Sequence, residues 1–518
     1  MTVFKRMYNL TDQSDDEYAN TKGWIVSIAT AGAVFGCLGC IPLTQKFGRK
    51  ITMQIGTVAY MAGVFGQTFS RGSLGGLYAS RFISGMGIGT TSVLPSVYIS
   101  EVSRVLHTVQ PCPLLTWAHS QISPRSIRGL MTLQYAACQQ LGVIFGFFFN
   151  YGVTKYHTDV PLQYQLPTAL QLVPAAIWGI GTFFTPESPR YLLAKNKRTQ
   201  ALQTLARFRR LPVDHEYVQE EFAGIDGQLN HEIEAVAGSS SWDLLKETFT
   251  VTSNRRRFIL IFCCHLFSQW SGANAITQYS PTILSYLGIA GEQTRFLTTG
   301  IYGIVKFVST LLCAIFLIDF IGRRRSLMTG ITLQLVTLTF IGAYLGVTNG
   351  RSAEEIEADP SAKAASTASI VAIFFHAIAW SIGWFAIPYL VSSEVFPIRI
   401  RSLNVSILTA FHWAFYFACS RAMPSLLVAT DRYGAFAFFG SICLISLIYV
   451  YFAMPETSGR SLESMDSLFE RPWYTVHKVA YASADDGRPE YWSNDAKLGE
   501  TESEMDVRVH DDDAKAAA

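Results

Sequence analysis

Charge is what this 518-residue chain is short of: only 15% of its residues are Asp, Glu, Lys or Arg, against 49% hydrophobic and 13% aromatic. A soluble protein carries about 25% charged residues, so a soluble globular fold is excluded and a multi-spanning membrane protein is expected. The net charge is +2, and the basic residues fall in short runs between apolar segments, which leaves no surface for nucleic acid. The nine cysteines lie mostly singly in apolar runs, with no His/Cys cluster at metal spacing, and read as small buried hydrophobes. No nucleophile, base and orienting group come together at a recognisable spacing, so no enzyme, cofactor or metal centre is expected. The opening MTVFKRMYNLTDQSDDEYAN holds neither a signal peptide nor a span.

What is abundant is apolar sequence of spanning length. Eleven such segments lie at about 23–43, 51–69, 74–99, 129–151, 166–185, 257–288, 296–318, 326–347, 367–393, 403–428 and 433–453. The polar stretch 186–256 between the fifth and sixth reads as a soluble helical linker, and the acidic residues 454–518 as a disordered tail. Cations occupy alternate loops: Lys46, Arg49 and Lys50; Arg125 and Arg128; Arg207, Arg209, Arg210 and Arg255 to Arg257; Arg323 to Arg325; Arg399 and Arg401. These loops are expected to be cytoplasmic, which puts residues 1–22 outside and the linker and tail inside. The bundles are then 23–185 and 257–453.

One cation does not belong to a loop. In Thr299 to Arg325, TGIYGIVKFVSTLLCAIFLIDFIGRRR, Lys306 precedes Asp319 by about 20 Å of helix, which is mid-membrane depth. An ammonium there costs at least about 2.5–3.5 kcal/mol, and its stem is too short to reach an interface. With few acids in the spans to pair it, Lys306 is expected to face a wet cavity.

Two signals recur half a molecule apart. Phe47-Gly48-Arg49-Lys50 is echoed by Asp319-Phe320-Ile321-Gly322-Arg323-Arg324, and Pro186-Glu187-Ser188-Pro189-Arg190 by Pro455-Glu456-Thr457. Duplicated halves around a linker mark transporters whose substrate site lies near the midplane. With Arg81-Phe-Ile-Ser-Gly85-Met-Gly87-Ile-Gly89, Arg128-Gly129, Gln269-Trp-Ser-Gly272-Ala-Asn274 and Glu394-Val-Phe-Pro397-Ile-Arg399-Ile-Arg401, the chain resembles the sugar porter family of the major facilitator superfamily, in its fungal sugar, quinate and sugar-acid branch. The resemblance implies an all-α fold of two pseudo-symmetric helical bundles. It also implies carboxylate–guanidinium pairs at the cytoplasmic face, drawn from Glu101, Glu187, Glu394, Glu456 and Asp319 with Arg81, Arg128, Arg190, Arg323, Arg399 and Arg401, which lock the halves and open during transport. Gln269, Asn274 and Trp413 match sugar-contact positions; Tyr389 stands for a Trp, and Gln278-Tyr279 for a Tyr pair. Small residues Gly85, Gly87 and Gly89 allow close helix approach.

Departures from the family pattern matter as much. Ala136 replaces a Gln, with Gln139 and Gln140 one turn away; His412 and Tyr416 replace two Asn; Lys306 stands where animal glucose carriers have Asn; and Gln45 replaces an Asp. The site has lost neutral amides and gained a cation. The family's first span, with its acidic proton-coupling residue, is missing, as if translation were assigned a downstream start. The segment Arg104 to Ser123 splits a tight turn with no apolar period and resembles retained intron sequence.

The expected function is alternating-access transport of a hexose, pentose, galacturonate or quinate, with proton coupling in the intact family member. The protein is expected to be a monomer in the plasma membrane, in contact with lipid. A transporter-like nutrient receptor signalling through the tail is the alternative. Lys306 leaves three substrate readings open: a carboxylate ligand, a neutral sugar hydrogen-bonded by the amine, or a lysine that sheds its proton during coupling.

The charge alternation makes a checkable statement about topology. A tag at residue 1 is expected to be labelled from outside in intact cells, and labelling only after permeabilisation contradicts the orientation.

Overall fold

In the computed structural model, the described residues are 2–481 apart from 71, 104–124, 157–159, 237–239, 290, 314–320, 350, 352, 458–467 and 480. The segment Arg104 to Ser123 and Asp319 therefore lie outside the described residues, as do the side chains of Glu101 and Arg128.

A bilayer offers backbone amides no partners, so a spanning chain must satisfy them within each segment, and among the described residues there is no strand. The first half contains α1 (Thr2–Met7), α2 (Asp15–Phe47), α3 (Arg49–Thr68), α4 (Leu74–Ser103), α5 (Arg125–Tyr156), α6 (Leu162–Leu170) and α7 (Leu172–Phe184). The linker folds as α8 (Pro189–Ala194), α9 (Arg198–Arg209), α10 (Glu216–Val236) and α11 (Ser241–Thr250). The second half begins with α12 (Thr252–Trp270), α13 (Ala273–Tyr286), α14 (Glu292–Leu312) and α15 (Arg323–Val347). It continues with α16 (Ala353–Ala358), α17 (Pro360–Ile382), α18 (Ile387–Val395), α19 (Ile398–Ala429) and α20 (Tyr433–Ala453).

Counting the broken pairs α6–α7, α12–α13 and α17–α18 as one each, these helices supply the eleven spans. Among the described residues, six of the eleven meet a strict length-and-apolarity criterion. Within the halves α2 and α3 pack on α4, and α15 packs on α17 and α20; between them, α2 lies along α19 and α5 along α14.

The α2–α4 contact shows why glycine recurs. A Cβ on Gly85 would sit 2.0 Å from the Ala29 carbonyl oxygen, and one on Gly89 2.1 Å from that of Ala33. Reciprocally, Gly32 faces the Phe82 carbonyl and Gly36 that of Met86, each at 2.1 Å. The two glycine pairs, each spaced by one turn, let the backbones touch. Gly87 serves the other face, against Gly56 and Tyr60 of α3.

Both ends of the chain are more ordered than their composition predicts. Helix α2 begins at Asp15, eight residues before the apolar run, because Ser14 and Glu17 form a capping box. Tyr8 and Leu10 pack on Ile25 and Leu77, which folds residues 1–22 against the bundle. The tail is not disordered throughout. Leu468, Phe469 and Val476 are buried, and Arg256 donates to the carbonyls of Phe469, Glu470 and Arg471, so residues 468–481 dock on the linker-side end of the second half. A few apolar anchors and one arginine suffice where average composition suggested none.

The linker has its own small core of Leu205, Ala206 and Val218 beside Leu192, Leu193 and Leu229. Within it Arg209 Nε lies 3.0 Å from Glu221. Burial pushes the Glu221 carboxyl up to about 7 despite that arginine.

The glycine contacts predict contrasting substitutions. Gly85→Val meets backbone that no rotamer relieves and is expected to cost about 3 kcal/mol, seen as loss of monodisperse protein in detergent. Gly39→Ala has no atom within 4 Å of the new Cβ and is expected to stay within about 0.5 kcal/mol of the parent. Equal behaviour of the two variants contradicts the packing described.

Candidate functional site

The site is organised by a break. Helix α12 stops at Trp270 and α13 restarts after Gly272, whose φ of +85° is a left-handed value natural only to glycine. Across the break Asn274 Nδ2 donates to Gln269 Oε1 at 2.9 Å. One turn on, Gln278 Nε2 donates to the Tyr416 hydroxyl at 3.1 Å. Asn274 and Gln278, spaced i, i+4, share one half-buried face of α13.

Tyr279 does not share it. Adjacent residues on a helix point about 100° apart, and Tyr279 is buried with its hydroxyl donating to the Ser420 carbonyl at 3.0 Å. It ties α13 to α19, with its hydroxyl turned away from the face that Asn274 and Gln278 share.

On α12, Gln269 follows His265 by one turn. His265 Nδ1 lies 3.1 Å from His412 Nδ1 of α19, and Gln269 Nε2 lies 3.1 Å from His412 Nε2. The Tyr389 hydroxyl of α18 approaches the same Nε2 at 2.8 Å. Trp413 is half-buried and stacks on Tyr416, with ring centroids 5.7 Å apart and planes at 26°. Thus Gln269, Asn274, Gln278, Tyr389 and Trp413 converge with His412 and Tyr416. His265 was missed in the sequence, although its i−4 spacing from Gln269 was a usable signal.

Lys306 is buried at 2% exposure, its Nζ 4.1 Å from the centre of the Trp380 ring and 3.0 Å from Thr277 Oγ1, to which it donates. Thr277 in turn lies 3.2 Å from the Tyr302 hydroxyl. The expected open, wet cavity is not what surrounds the ammonium. The electron-rich face of an indole replaces water, an interaction of about 2 kcal/mol when desolvated. Trp380 could not be inferred as the partner because it belongs to another helix, α17. Nearby polar atoms are unsatisfied: Gln278 Oε1, Trp380 Nε1 and, on α5, Gln140 Oε1 are buried without a hydrogen bond. Gly300 faces Phe148 and Gly303 faces Ile144, a register that continues to Gln140 at the level of Lys306.

The gate carboxylates do something other than lock the halves. Glu187 accepts from the backbone N–H of Arg49 at 3.0 Å and of Lys50 at 3.2 Å, at the start of α3. Glu456 accepts from the N–H of Arg323 at 2.9 Å and of Arg324 at 3.1 Å, at the start of α15. Each acid sits where a side chain on the preceding glycine would collide, 2.5 Å from the Cβ position of Gly48 or Gly322. The repeated Gly and Glu are therefore one device, a carboxylate on a helix N-terminus, used once per half.

Arg323 also pairs with Glu394 at 3.3 Å, and Thr457 donates to Glu394. Arg399 pairs with Glu247 of the linker at 2.9 Å, and Arg401 Nε donates to the Phe396 carbonyl. Each of these pairs stays within one half or joins it to the linker. Arg190 is half-buried at the start of α8. Arg81 departs from its expected place: it lies two turns into α4 from the far end, in electrostatic reach of Tyr60 and Tyr279. Besides the packing of α2 on α19 and of α5 on α14, the described side-chain hydrogen bonds that cross between halves are at that same far end, where Lys22 donates to Thr282 at 2.9 Å and Arg421 donates to Asn20.

The comparisons agree with this geometry. The family described as "Sugar (and other) transporter" matches residues 1–469. A probable quinate permease of Aspergillus terreus is 33% identical over 512 residues, 97% of this chain and 88% of the relative. The quinate permease of Neurospora terricola is 32% identical over 499 residues, 94% and 87% of the two chains. Among solved structures, the xylose transporter XylE from E. coli in a partially occluded inward-open conformation superposes with a TM-score of 0.68 at 17% identity, covering 89% of this chain and 93% of that one. The proton:xylose symporter XylE bound to 6-bromo-6-deoxy-D-glucose gives 0.67 at 20% identity, covering 90% and 93%. At such identities the structures speak for the fold.

The helix-cap role makes a prediction for Glu456, which is buried, and Glu187, which is half-buried. Glu456→Gln keeps the shape and removes the charge; it is expected to lower stability by about 1–2 kcal/mol, and Glu187→Gln by less. Thermal unfolding of the purified variants measures this, and an unshifted Glu456→Gln contradicts the cap.

Proposed function

The chain belongs to the sugar transporter family, as a sugar porter of the major facilitator superfamily, and from that premise we propose that its substrate is a small polyhydroxylated carboxylate such as quinate or galacturonate. It is a transporter and not an enzyme. The substrate sits between the two halves near Lys306 and exchanges sides by alternating access, as the duplicated architecture supports. We place the linker end of the bundle in the cytoplasm and the protein in the plasma membrane.

The observation that carries the reading is the buried ammonium of Lys306, with which no carboxylate pairs among the described residues. Trp380 and Thr277 occupy its surroundings without neutralising it. An anionic ligand supplies the missing charge, and a carboxylate oxygen accepts a charge-assisted hydrogen bond stronger than any a sugar hydroxyl offers. The ring hydroxyls then fall to Asn274 and Gln278 on the same helix as Thr277, with the unsatisfied Gln278 Oε1 as acceptor and Trp380 Nε1 as donor. The names of the relatives, quinate permeases, support the same class.

Uptake of labelled quinate and glucose by cells expressing the parent chain and Lys306→Asn tests this. Losing a charge-assisted hydrogen bond of about 1.5–3 kcal/mol predicts a roughly 10–100-fold fall in apparent affinity for quinate. Glucose uptake, if present, is expected to change by no more than about threefold. Equal losses for both substrates, or transport of glucose alone by the parent, overturn the carboxylate reading and favour a neutral sugar.

A further inference from the structure

We infer that the His265–His412 pair is a proton-binding site whose occupancy sets the hydrogen-bonding polarity of Gln269 and Asn274 towards the substrate, so that proton and acid are bound together. The inference rests on the carboxylate reading and adds to it the group that carries the proton.

The geometry begins with two buried imidazoles whose Nδ1 atoms are 3.1 Å apart. With the pair neutral, such a contact needs one hydrogen between the rings, one Nδ1 donating and the other accepting. At the other side of His412, Nε2 faces the Tyr389 hydroxyl at 2.8 Å. A hydroxyl both donates and accepts. An added proton on His412 therefore finds its two acceptors already in place, His265 Nδ1 and the Tyr389 oxygen. The pair is preorganised for one positive charge.

Gln269 is the group that must respond. Its amino nitrogen faces the His412 ring, 3.1 Å from Nε2 and 3.3 Å from Nδ1, while its carbonyl oxygen accepts from Asn274. Nearly equidistant from both ring nitrogens, the amino group lies over the ring face, which suits a neutral His412 and opposes an imidazolium. On protonation the Gln269 amide turns over and offers Oε1 to the ring. Its amino group then points at Asn274, which turns in sequence, accepts through Oδ1 and releases its own amino group to the half-buried face of α13. A face that offered an acceptor now offers donors, which a carboxylate requires. By linkage, acid binding raises the proton affinity of the pair by the same factor.

Other titratable side chains on the helices around the pair are turned elsewhere. Tyr279 of α13 reaches Ser420, and Tyr416 of α19 takes the Gln278 amide. Tyr449 of α20 packs edgewise to Phe267, Lys22 of α2 is held at the far end by Thr282, and Glu247 of α11 pairs with Arg399. Lys306 donates to Thr277 and His376 contacts Gln334, the two being in electrostatic reach of each other. Among the described residues no carboxylate contacts His265 or His412, so an added proton is held by hydrogen bonds alone.

The full chain in lipid nanodiscs, in weakly buffered solution with a pH-indicator dye, tests this on addition of quinate, with binding followed in parallel by calorimetry. The parent is expected to take up about one proton per quinate bound, and its affinity to rise up to about tenfold per pH unit towards acid. In His412→Gln and His265→Gln, each checked for a single monodisperse peak, quinate still binds, more weakly, but proton uptake is lost and the affinity becomes flat with pH. Proton uptake that persists in either folded variant overturns the assignment, as does quinate binding by the parent without proton uptake, a result readable even where a variant does not fold. Failure of the parent to bind quinate at all is a different signal: it removes the carboxylate reading first, and this inference with it.

Discussion

Inside a bilayer no water is available to complete a hydrogen bond, and most of this structure follows from having to complete them internally. The helices satisfy their own backbones, and hydroxyls within them turn back to the preceding turn, as Thr52 does to the Gly48 carbonyl and Thr57 to that of Met53. Where a helix must break, side chains repair the gap, as Asn274 does across Gly272. Polar atoms that escape this rule are then informative. Gln278 Oε1, Trp380 Nε1 and Gln140 Oε1 are buried without a hydrogen-bond partner.

The same constraint explains why charge in the chain has two distinct uses. At the linker end, Glu187 and Glu456 complete the first amides of α3 and α15, so each half carries its own rigid corner. Rigid corners confined to single halves allow the halves to move as bodies. The contacts that hold them together at the far end, through Lys22 and Arg421, are single hydrogen bonds backed by aromatic packing such as Trp24 on Phe417. Such contacts are weak enough to break on each cycle. In the middle, Lys306 rests on Trp380 and Thr277, and the histidine pair on Tyr389 and Gln269, with no carboxylate partner among the described residues.

The docked segment 468–481 belongs to the same economy of short anchors. Arg256 collects three carbonyls at the end of a short helical turn, while Trp473 stacks on Tyr449 and His477 on Tyr451. These contacts all fall on the second half, so this segment is anchored to that body.

Sequence alone was enough for everything that depends on position along one helix. Length and apolarity marked the spanning segments, the 1.5 Å rise placed Lys306 deep within one of them, repeated motifs exposed the two halves, and the resemblance to sugar porters singled out Gln269, Asn274 and Trp413. Gly85 and Gly89 announced close packing by their one-turn spacing. What sequence could not supply was the identity of the neighbour across a gap, because tertiary contact depends on the rotation and register of two helices at once. Hence the Tyr279 hydroxyl reaches the Ser420 carbonyl of α19, Arg81 lies near the far end of α4, Glu456 meets the amides at the start of α15, and Lys306 lies on the ring of Trp380 and not in open water. The pairing of His265 with His412, 147 residues apart, is likewise a property of the packed bundle: each histidine alone is a polar residue in a span, and only the packing of α12 on α19 brings their nitrogens to 3.1 Å.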